Sequence, residues 1–569
     1  MPRTLGSIPV ALFVALLVSC SGSSTAPAPA PSLAAVSPPT GTVGTELTLT
    51  GANFRAGATV LLDALNADSV QVVSGGTTAY ALVPAGVVKG HAYAVELRNS
   101  DGTSAQLAGV FTPIAPLLQY VNGATKPSGN AGSTVIVEGN AFGDRQGTGQ
   151  VLFSNGTGGT IAAAIASPAD WTNTFIVTTV PSGAATGPVA VQTATGTSDS
   201  LTFTVTTNST FSPSTIAWTS TTGLPVALSG HTASFAIVGG ATTSSNLVYV
   251  AGGADTARTL RSDVYYATIQ TTGQLGTWTT ALSLPAAVAF HAAVIATPFN
   301  SRVKGAAGYL YILGGATDAA GTPTSTVYRG TVGSTGAITA WTTLASALPA
   351  AVHSLGAVIF RGDLYIAGGS AAGNATVATV YRSRIDSTGA LGTWQAEPAL
   401  PFARSYGGFE QFGGSLYYFG GDSAAVTPND SNYTNNGTKL SQIAYIKINL
   451  RTGDLVGTSW SVNASGLTKA VNKHTAVIAG GSVLVSAGLY NGAATGSTEE
   501  TYAQINSDGS VASLNGATGS HTINSTGGGN LFNHAALSYV DANGVAHVLV
   551  LGGDDVNTPG AKHKQVWFY

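Results

Sequence analysis

Residues 364–369 read LYIAGG, a short apolar run that stops at two glycines. A run of this length bounded by turn residues reads as a buried strand, being too short for a helix. The same phrase returns as VYVAGG at 248–253, LYILGG at 310–315, LYYFGG at 416–421, VLVSAG at 483–488 and VLVLGG at 548–553. Other elements travel with it. After each copy comes a strand centred on an aromatic residue, in turn Tyr265, Tyr328, Tyr381, Tyr445, Tyr502 and Trp567. In four copies a glycine turn then leads to tryptophan: TTGQLGTW at 271–278, STGAITAW at 334–341, STGALGTW at 387–394 and RTGDLVGTSW at 451–460. Ahead of the phrase lies another apolar strand, approached through Leu-Pro, as in LPVALSGHTASFAI at 224–237 and LPAAVAFHAAVI at 284–295.

Four strands per copy and six copies predict a six-bladed β-propeller over residues 208–569. The pattern resembles the kelch family, whose repeat is about 50 residues long. The resemblance implies an inner strand a after the Leu-Pro loop, strand b ending in Gly-Gly, strand c with the aromatic residue and outer strand d with tryptophan. The last strand, KQVWFY at 564–569, has no strand d after it, whereas STIAWTST at 214–221 is a spare strand d before the first blade. Pairing the two would close the ring and remove its open edges.

Ahead of the repeats, LAAVSPPTGTVGTELTLTGANF at 33–54 combines a Pro-Gly turn with an alternating strand. It resembles the start of an IPT/TIG domain, an immunoglobulin-like sandwich, through Pro39, Gly44, Thr45, Gly51 and Phe54. A second copy has Gly129, Gly132 and STVIVEGNAFG at 133–143, with Gly139 and Phe142, but lacks the Pro-Pro start. The expected fold is therefore all-β, with two immunoglobulin-like β-sandwiches at 33–114 and 115–207 before the propeller. Such domains act as spacers or binding modules.

Charged residues make up 8% of the 569, and the formal net charge is −3, so no basic field for nucleic acid exists. The lone cysteine, Cys20, excludes an intramolecular disulfide, thiol catalysis in the propeller and cysteine-based zinc sites. It follows an apolar run, Ile8 to Val18, behind Arg3. Leu17-Val18-Ser19-Cys20 resembles the lipobox of bacterial lipoproteins. That resemblance implies a signal peptide at 1–19 and lipidation of Cys20; the Ser- and Pro-rich composition that follows reads as a tether over 20–32. The expected location is the bacterial cell envelope, at the outer membrane or cell surface, with the membrane met only through the lipid anchor.

Arg361-Gly362-Asp363, an integrin-type tripeptide, falls between strands a and b of one repeat. Other repeats place FGGS or DANG there, so hairpin-turn chemistry explains it, with the turn expected to expose it.

In this topology the d–a and b–c connections share one face. Counting six residues past the Leu-Pro proline places His231 and His291 there, and the same register gives His474 and His534. His353 lies close by, and Asp255, Asp422 and Asp554 follow their Gly-Gly pairs. The functional reading is a polar channel mouth for a ligand or a metal, since imidazole and carboxylate together could bind a transition metal; the plainer and favoured reading is that these histidines close the d–a loops by hydrogen bonds. Blade 4 adds Arg404, Tyr406 and Glu410, with Arg404 and Glu410 expected either to pair or to face the channel. Lys473 is expected to be solvated. Equivalent residues around a sixfold ring lie far apart, which does not favour a metal coordination shell; no cofactor is expected.

The expected function is a non-catalytic surface lipoprotein whose propeller presents a binding face to a glycan or to an envelope or extracellular protein. The alternatives are a carbohydrate-active enzyme resembling the six-bladed kelch sialic-acid epimerases, and a structural component of an envelope assembly. Galactose oxidase also joins a kelch propeller to an immunoglobulin-like domain, but its family needs a Cys-Tyr crosslink that this chain cannot form.

Overall fold

A glycine three residues before a phenylalanine organises both sandwiches. An added Cβ on Gly51 would sit 2.7 Å from the Phe54 ring, and one on Gly139 would sit 2.5 Å from the Phe142 ring. Each ring is buried against bare backbone, so the G-x-x-F spacing is a packing requirement. The computed structural model describes residues 28–569 except 207–210, 212, 214–215, 240–243, 305–307, 426–436, 464–465, 491–499, 507, 513, 517–530, 542–544 and 556–560. The expected signal peptide, Cys20 and most of the expected tether lie outside the described residues.

The first sandwich has one sheet of Ser32–Ser37, Glu46–Ala52, Thr78–Leu82 and Val70–Val72. Its other sheet contains Ser104–Pro113, Tyr93–Arg98, Thr59–Leu62 and Leu65–Asn66. Alternation in the strands turns Leu47, Leu49, Val95, Leu97 and Phe111 fully inward.

The chain from Pro113 to Tyr569 belongs to a second compact unit. Its first part is another two-sheet sandwich. One sheet holds Leu117–Val121, Thr134–Asn140, Phe175–Thr179 and Trp171–Thr172. The other runs through Ser128–Asn130, Leu201–Thr206, Gly187–Thr193, Gln150–Ser154 and Thr160–Ala162. Trp171, Phe153 and Phe203 fill the core, and the Trp171 indole donates to the Phe142 carbonyl at 3.1 Å.

Six four-stranded antiparallel sheets follow, each ordered a-b-c-d. The inner strands are Thr232–Gly239, Ala292–Ala296, Gly356–Phe360, Gly408–Phe412, Thr475–Ala479 and Ala535–Val540, for blades 1 to 6. Each touches the inner strand before and after it, and the sixth touches the first, so the sheets form the closed ring of a propeller. In blade 6 the outer strand is Thr219–Thr221, which pairs antiparallel with Val566–Phe568. The ring thus closes through the N-terminal strand, as the spare strand d implied.

Strand b is buried throughout in blades 3, 4 and 5, because neighbouring blades cover both its faces. A tyrosine at the second position of the repeated phrase reaches into the next blade. Tyr249, Tyr311, Tyr365 and Tyr417 donate to the carbonyls of Gly336, Gly389, Gly453 and Gly509 at 2.5–2.9 Å. The strand-d tryptophans work in the reverse direction. Trp341 and Trp460 donate to the Leu282 and Pro398 carbonyls of the preceding blades at 2.9 and 2.8 Å.

The Arg361-Gly362-Asp363 turn is not displayed, contrary to the expectation. Asp363 is 3% exposed and paired with Arg384, while the Arg361 guanidinium pairs with Glu138 of the second sandwich. Glu138 also holds Arg302 of blade 2 at 2.7 Å, and the Lys126 amide donates to the Pro298 carbonyl. The tripeptide is part of a joint between sandwich and propeller, which covers the turn.

Candidate functional site

The residue before each inner-strand register position is Gly230, Phe290, Ser354, Tyr406, Lys473 or Asn533, for blades 1 to 6. All six lie in the left-handed region, with φ between 51° and 58°. Each amide donates to the equivalent carbonyl of the preceding blade: Phe290 to Gly230, Ser354 to Phe290, Tyr406 to Ser354, Lys473 to Tyr406, Asn533 to Lys473 and Gly230 to Asn533. The six bonds, 2.6–3.3 Å long, make a closed backbone annulus at the end where the d–a and b–c connections gather. The left-handed turn aims both amide and carbonyl along the ring. Five of the six positions carry a side chain despite the cost of that conformation, an energy the annulus offsets.

Side chains fill the centre of this annulus. Phe290 and Tyr406, from blades 2 and 4, meet edge to face across the axis at 6.0 Å. The Lys473 ammonium lies 5.3 Å from the Tyr406 ring centre, and His353 packs against the same ring. Tyr406 is 7% and Lys473 5% exposed, so Lys473 is enclosed rather than solvated as expected. The mouth is plugged by aromatic packing with a cation–π contact, a stabilising arrangement where water is excluded.

The register histidines sit between blades and not on an open rim. His231, His291, His474 and His534 are each 5–6% exposed. An added Cβ on Gly552, Gly252 or Gly420 would lie 2.7, 2.9 or 2.9 Å from the Cε1 of His231, His291 or His474 respectively. In each pair the glycine is the first of the Gly-Gly step in the preceding blade, so the imidazole packs on bare backbone. His291 and His534 also share hydrogen bonds with Thr232 and Thr475 of the preceding blades, both at 2.8 Å. Burial pushes the four imidazoles down, to about 4 for His231 and His474 and about 3 for His291 and His534. They are neutral at physiological pH. His353 is fully buried, bonded to Ser354 and to Asn374 at 2.9 Å, and burial lowers its pKa as well.

The three aspartates hold loops. Asp255 accepts from the amides of Ala257 and Thr259 and meets Arg261 at 3.4 Å. Asp422 accepts from the Ala424 amide and the Asn472 side chain, at 2.9 and 2.7 Å. Asp554 accepts from Asn533 at 2.9 Å and from Lys562 at 2.7 Å. Asp422 and Asp554 are 0% and 5% exposed, so both ties are desolvated and each loop is held by a charge-assisted bond.

Blade 4 separates its two charged candidates. Arg404 is 0% exposed; its guanidinium donates to the Gly420 and Gln442 carbonyls at 3.3 and 3.5 Å and lies over the rings of Tyr418 and Phe402. Glu410 lies on the inner strand, half-buried, and burial pushes its carboxyl up to about 8. Among the described residues no ion pair joins them, so the pairing weighed from sequence does not form. Gly407, which replaces the register histidine, leaves space for the Tyr418 ring; an added Cβ would meet it at 2.4 Å.

Sequence reasoning missed the annulus itself, the tyrosine ladder, and Asn472, Asn533 and Lys562 as partners. The ladder had a signal, since tyrosine and turn glycine keep the same places in four copies. The annulus had little signal, because glycine, aromatic, serine, lysine and asparagine share no side-chain property there; only the backbone is common.

The comparison with curated proteins found no match. Among solved structures, "Structure of YjhT" is 14% identical, covers 61% of this chain and 95% of its own, and has a TM-score of 0.43. That likeness is weak; the ring is established by strand order and by the annulus. Residues 31–111 match the IPT/TIG domain family, and the first sandwich of this chain is an IPT/TIG domain.

Proposed function

We propose that this chain is a non-catalytic surface lipoprotein, anchored through Cys20, whose propeller presents its annular face to a glycan or to an envelope protein. In this reading the second sandwich is a further IPT/TIG-like module, and the two sandwiches form the stalk. One observation carries the proposal: the six-bond annulus, with buried aspartate ties beside it, makes a preorganised platform from which loops project. Preorganisation lowers the ordering cost of binding. Loops on a rigid scaffold are where recognition residues gather. Blade 4 has the longest b–c connection, residues 420–442 against 252–263 in blade 1 and 368–379 in blade 3. Its d–a loop carries Phe402, 47% exposed, as an aromatic contact. The four register histidines, held neutral by burial, suit packing better than proton transfer.

A second reading, a carbohydrate-active enzyme, is favoured by Glu410 alone. A carboxyl raised to about 8 is protonated at neutral pH and has the character of a general acid. The experiment is a glycan array and an envelope-extract capture with the chain from residue 21 onward, alongside Phe402→Ala and Glu410→Gln. Saturable binding that falls about tenfold in Phe402→Ala and persists in Glu410→Gln supports the platform. Turnover of a bound sugar, lost in Glu410→Gln, replaces it with the enzyme. No retained glycan or protein refutes both.

A further inference from the structure

A cleft lies at the end of the propeller opposite the annulus, where the a–b and c–d connections meet the second sandwich. It has a volume of about 480 Å³, within the ~300–1,000 Å³ usual for small-ligand sites. The sandwich contributes Tyr120, Phe175, Thr172, Thr174 and Gln119, and the propeller contributes Arg302 and Arg451. The walls are built from both sides. Arg302 is 9% exposed, ties to Glu138 at 2.7 Å and lies 5.5 Å from the Tyr120 ring centre. The Lys304 ammonium also lies 5.5 Å from that ring. Arg451 lies 5.7 Å from the Phe175 ring and pairs with Asp170 at 3.6 Å.

Charge is scarce in this chain, at 8% of residues, yet Arg302 and Arg451 both line this cleft, and the Lys304 ammonium lies close to the Tyr120 ring of its wall. Glu138 and Asp170 oppose them, and Glu138 is shared with a fourth cation, Arg361. The local balance is therefore positive in a protein whose formal net charge is −3. Two aromatic rings, two threonine hydroxyls and a primary amide complete the lining. Rings present flat apolar surface to the C–H faces of a sugar, the hydroxyls and amide exchange hydrogen bonds with its hydroxyls, and guanidinium groups take carboxylate in a matched planar geometry.

We propose that this cleft binds an acidic oligosaccharide, one whose sugar rings carry carboxylates. The site does not rest on the annular-face reading, because it lies at the other end of the propeller and shares no residue with it. Binding here would place the ligand against the joint made by Arg302, Arg361 and Glu138, so occupancy would also brace sandwich and propeller together.

The test is isothermal titration of the chain from residue 21 onward with trigalacturonate at low salt. Maltotriose serves as the neutral sugar and tri-glutamate as the acidic peptide. Thr174→Trp fills the cleft from an exposed position on its lip, and Arg451→Gln removes one cation that is half exposed. The expected result is saturable trigalacturonate binding that weakens at least tenfold in Arg451→Gln, vanishes in Thr174→Trp, declines with added salt and is unchanged in Phe402→Ala. Matching melting curves show that the variants fold. Absence of trigalacturonate binding, or binding unaffected by both cleft variants, overturns the proposal. Equal binding of maltotriose overturns the acidic assignment, and tighter binding of tri-glutamate overturns the saccharide assignment. Loss in Phe402→Ala alone would move the acidic sugar to the annular face and leave this cleft without its ligand.

Discussion

A histidine buried without charge and a carboxyl buried with its proton pull stability in opposite directions with pH. The four register histidines have folded values of about 3–4 against 6.5 when free, so the unfolded chain binds more protons below about 6.5. Their contribution is present above 6.5 and is lost as pH falls toward 4. Glu410 and Glu500, the latter buried at the start of strand c in blade 5, have folded values of about 8 and 9 against 4.5, so here the folded chain binds more protons. Their contribution is present below 4.5 and is lost as pH rises through 8 to 9. Between 4.5 and 6.5 the histidines outnumber the carboxyls, and above 6.5 only the carboxyls act. Each group counts for at most about 1.4 kcal/mol per pH unit. Thermal melts from pH 4 to 9 are therefore expected to show greatest stability near pH 6 to 7. The double variant Glu410→Gln, Glu500→Gln is expected to flatten the alkaline limb and leave the acid limb in place. A wild-type melting temperature unchanged from pH 5 to 9 would contradict these burial-driven shifts.

At the scale of elements, each blade leans on the next through a few repeated contacts. The Tyr311 hydroxyl donates to the Gly389 carbonyl at 2.7 Å from a fully buried side chain. Tyr311→Phe keeps the ring and leaves that carbonyl unpaired, with an expected cost of about 1–2 kcal/mol in denaturant unfolding. Tyr328→Phe, on a partly exposed strand-c tyrosine, is the comparison and should cost less than about 0.5 kcal/mol. Equal costs would show that the ladder adds nothing to blade packing. The sequence made these elements legible because a strand covered on both faces must be apolar along its length, and each Gly-Gly marks its end. The Arg361-Gly362-Asp363 turn shows the limit. Its hairpin chemistry was readable, whereas its burial depended on Glu138, 223 residues earlier in the chain.

At the scale of the whole molecule, closure is the feature with the largest consequence. The outer strand Thr219–Thr221 pairs Thr219 with Phe568, Ser220 with Trp567 and Thr221 with Val566. Without it the last strand of blade 6 is an open edge beside an apolar core that includes Val548, Val550 and Trp567. A chain beginning at residue 223 is expected to melt at least about 10 °C below one beginning at residue 208 and to associate on size exclusion. A latch worth several kcal/mol gives a shift of that size. Identical melting and a monomeric profile for both would mean that the annulus holds the ring by itself.

Residue pattern alone determined the all-β class, the six repeats, the sandwich motif of residues 33–54 and the latch at 214–221. Those properties repeat locally, and each is fixed by what a strand, a turn or a packed ring needs from its nearest neighbours. Tertiary structure decided which candidates serve packing. It put His231, His291, His474 and His534 between blades, closed the channel mouth with Phe290, Tyr406 and Lys473, and kept Arg404 from Glu410. It also made an annulus from six residues with no common side chain and a cationic cleft from two parts of one unit. Burial and convergence are properties of residues brought together from distant positions, and a linear pattern contains no measure of either.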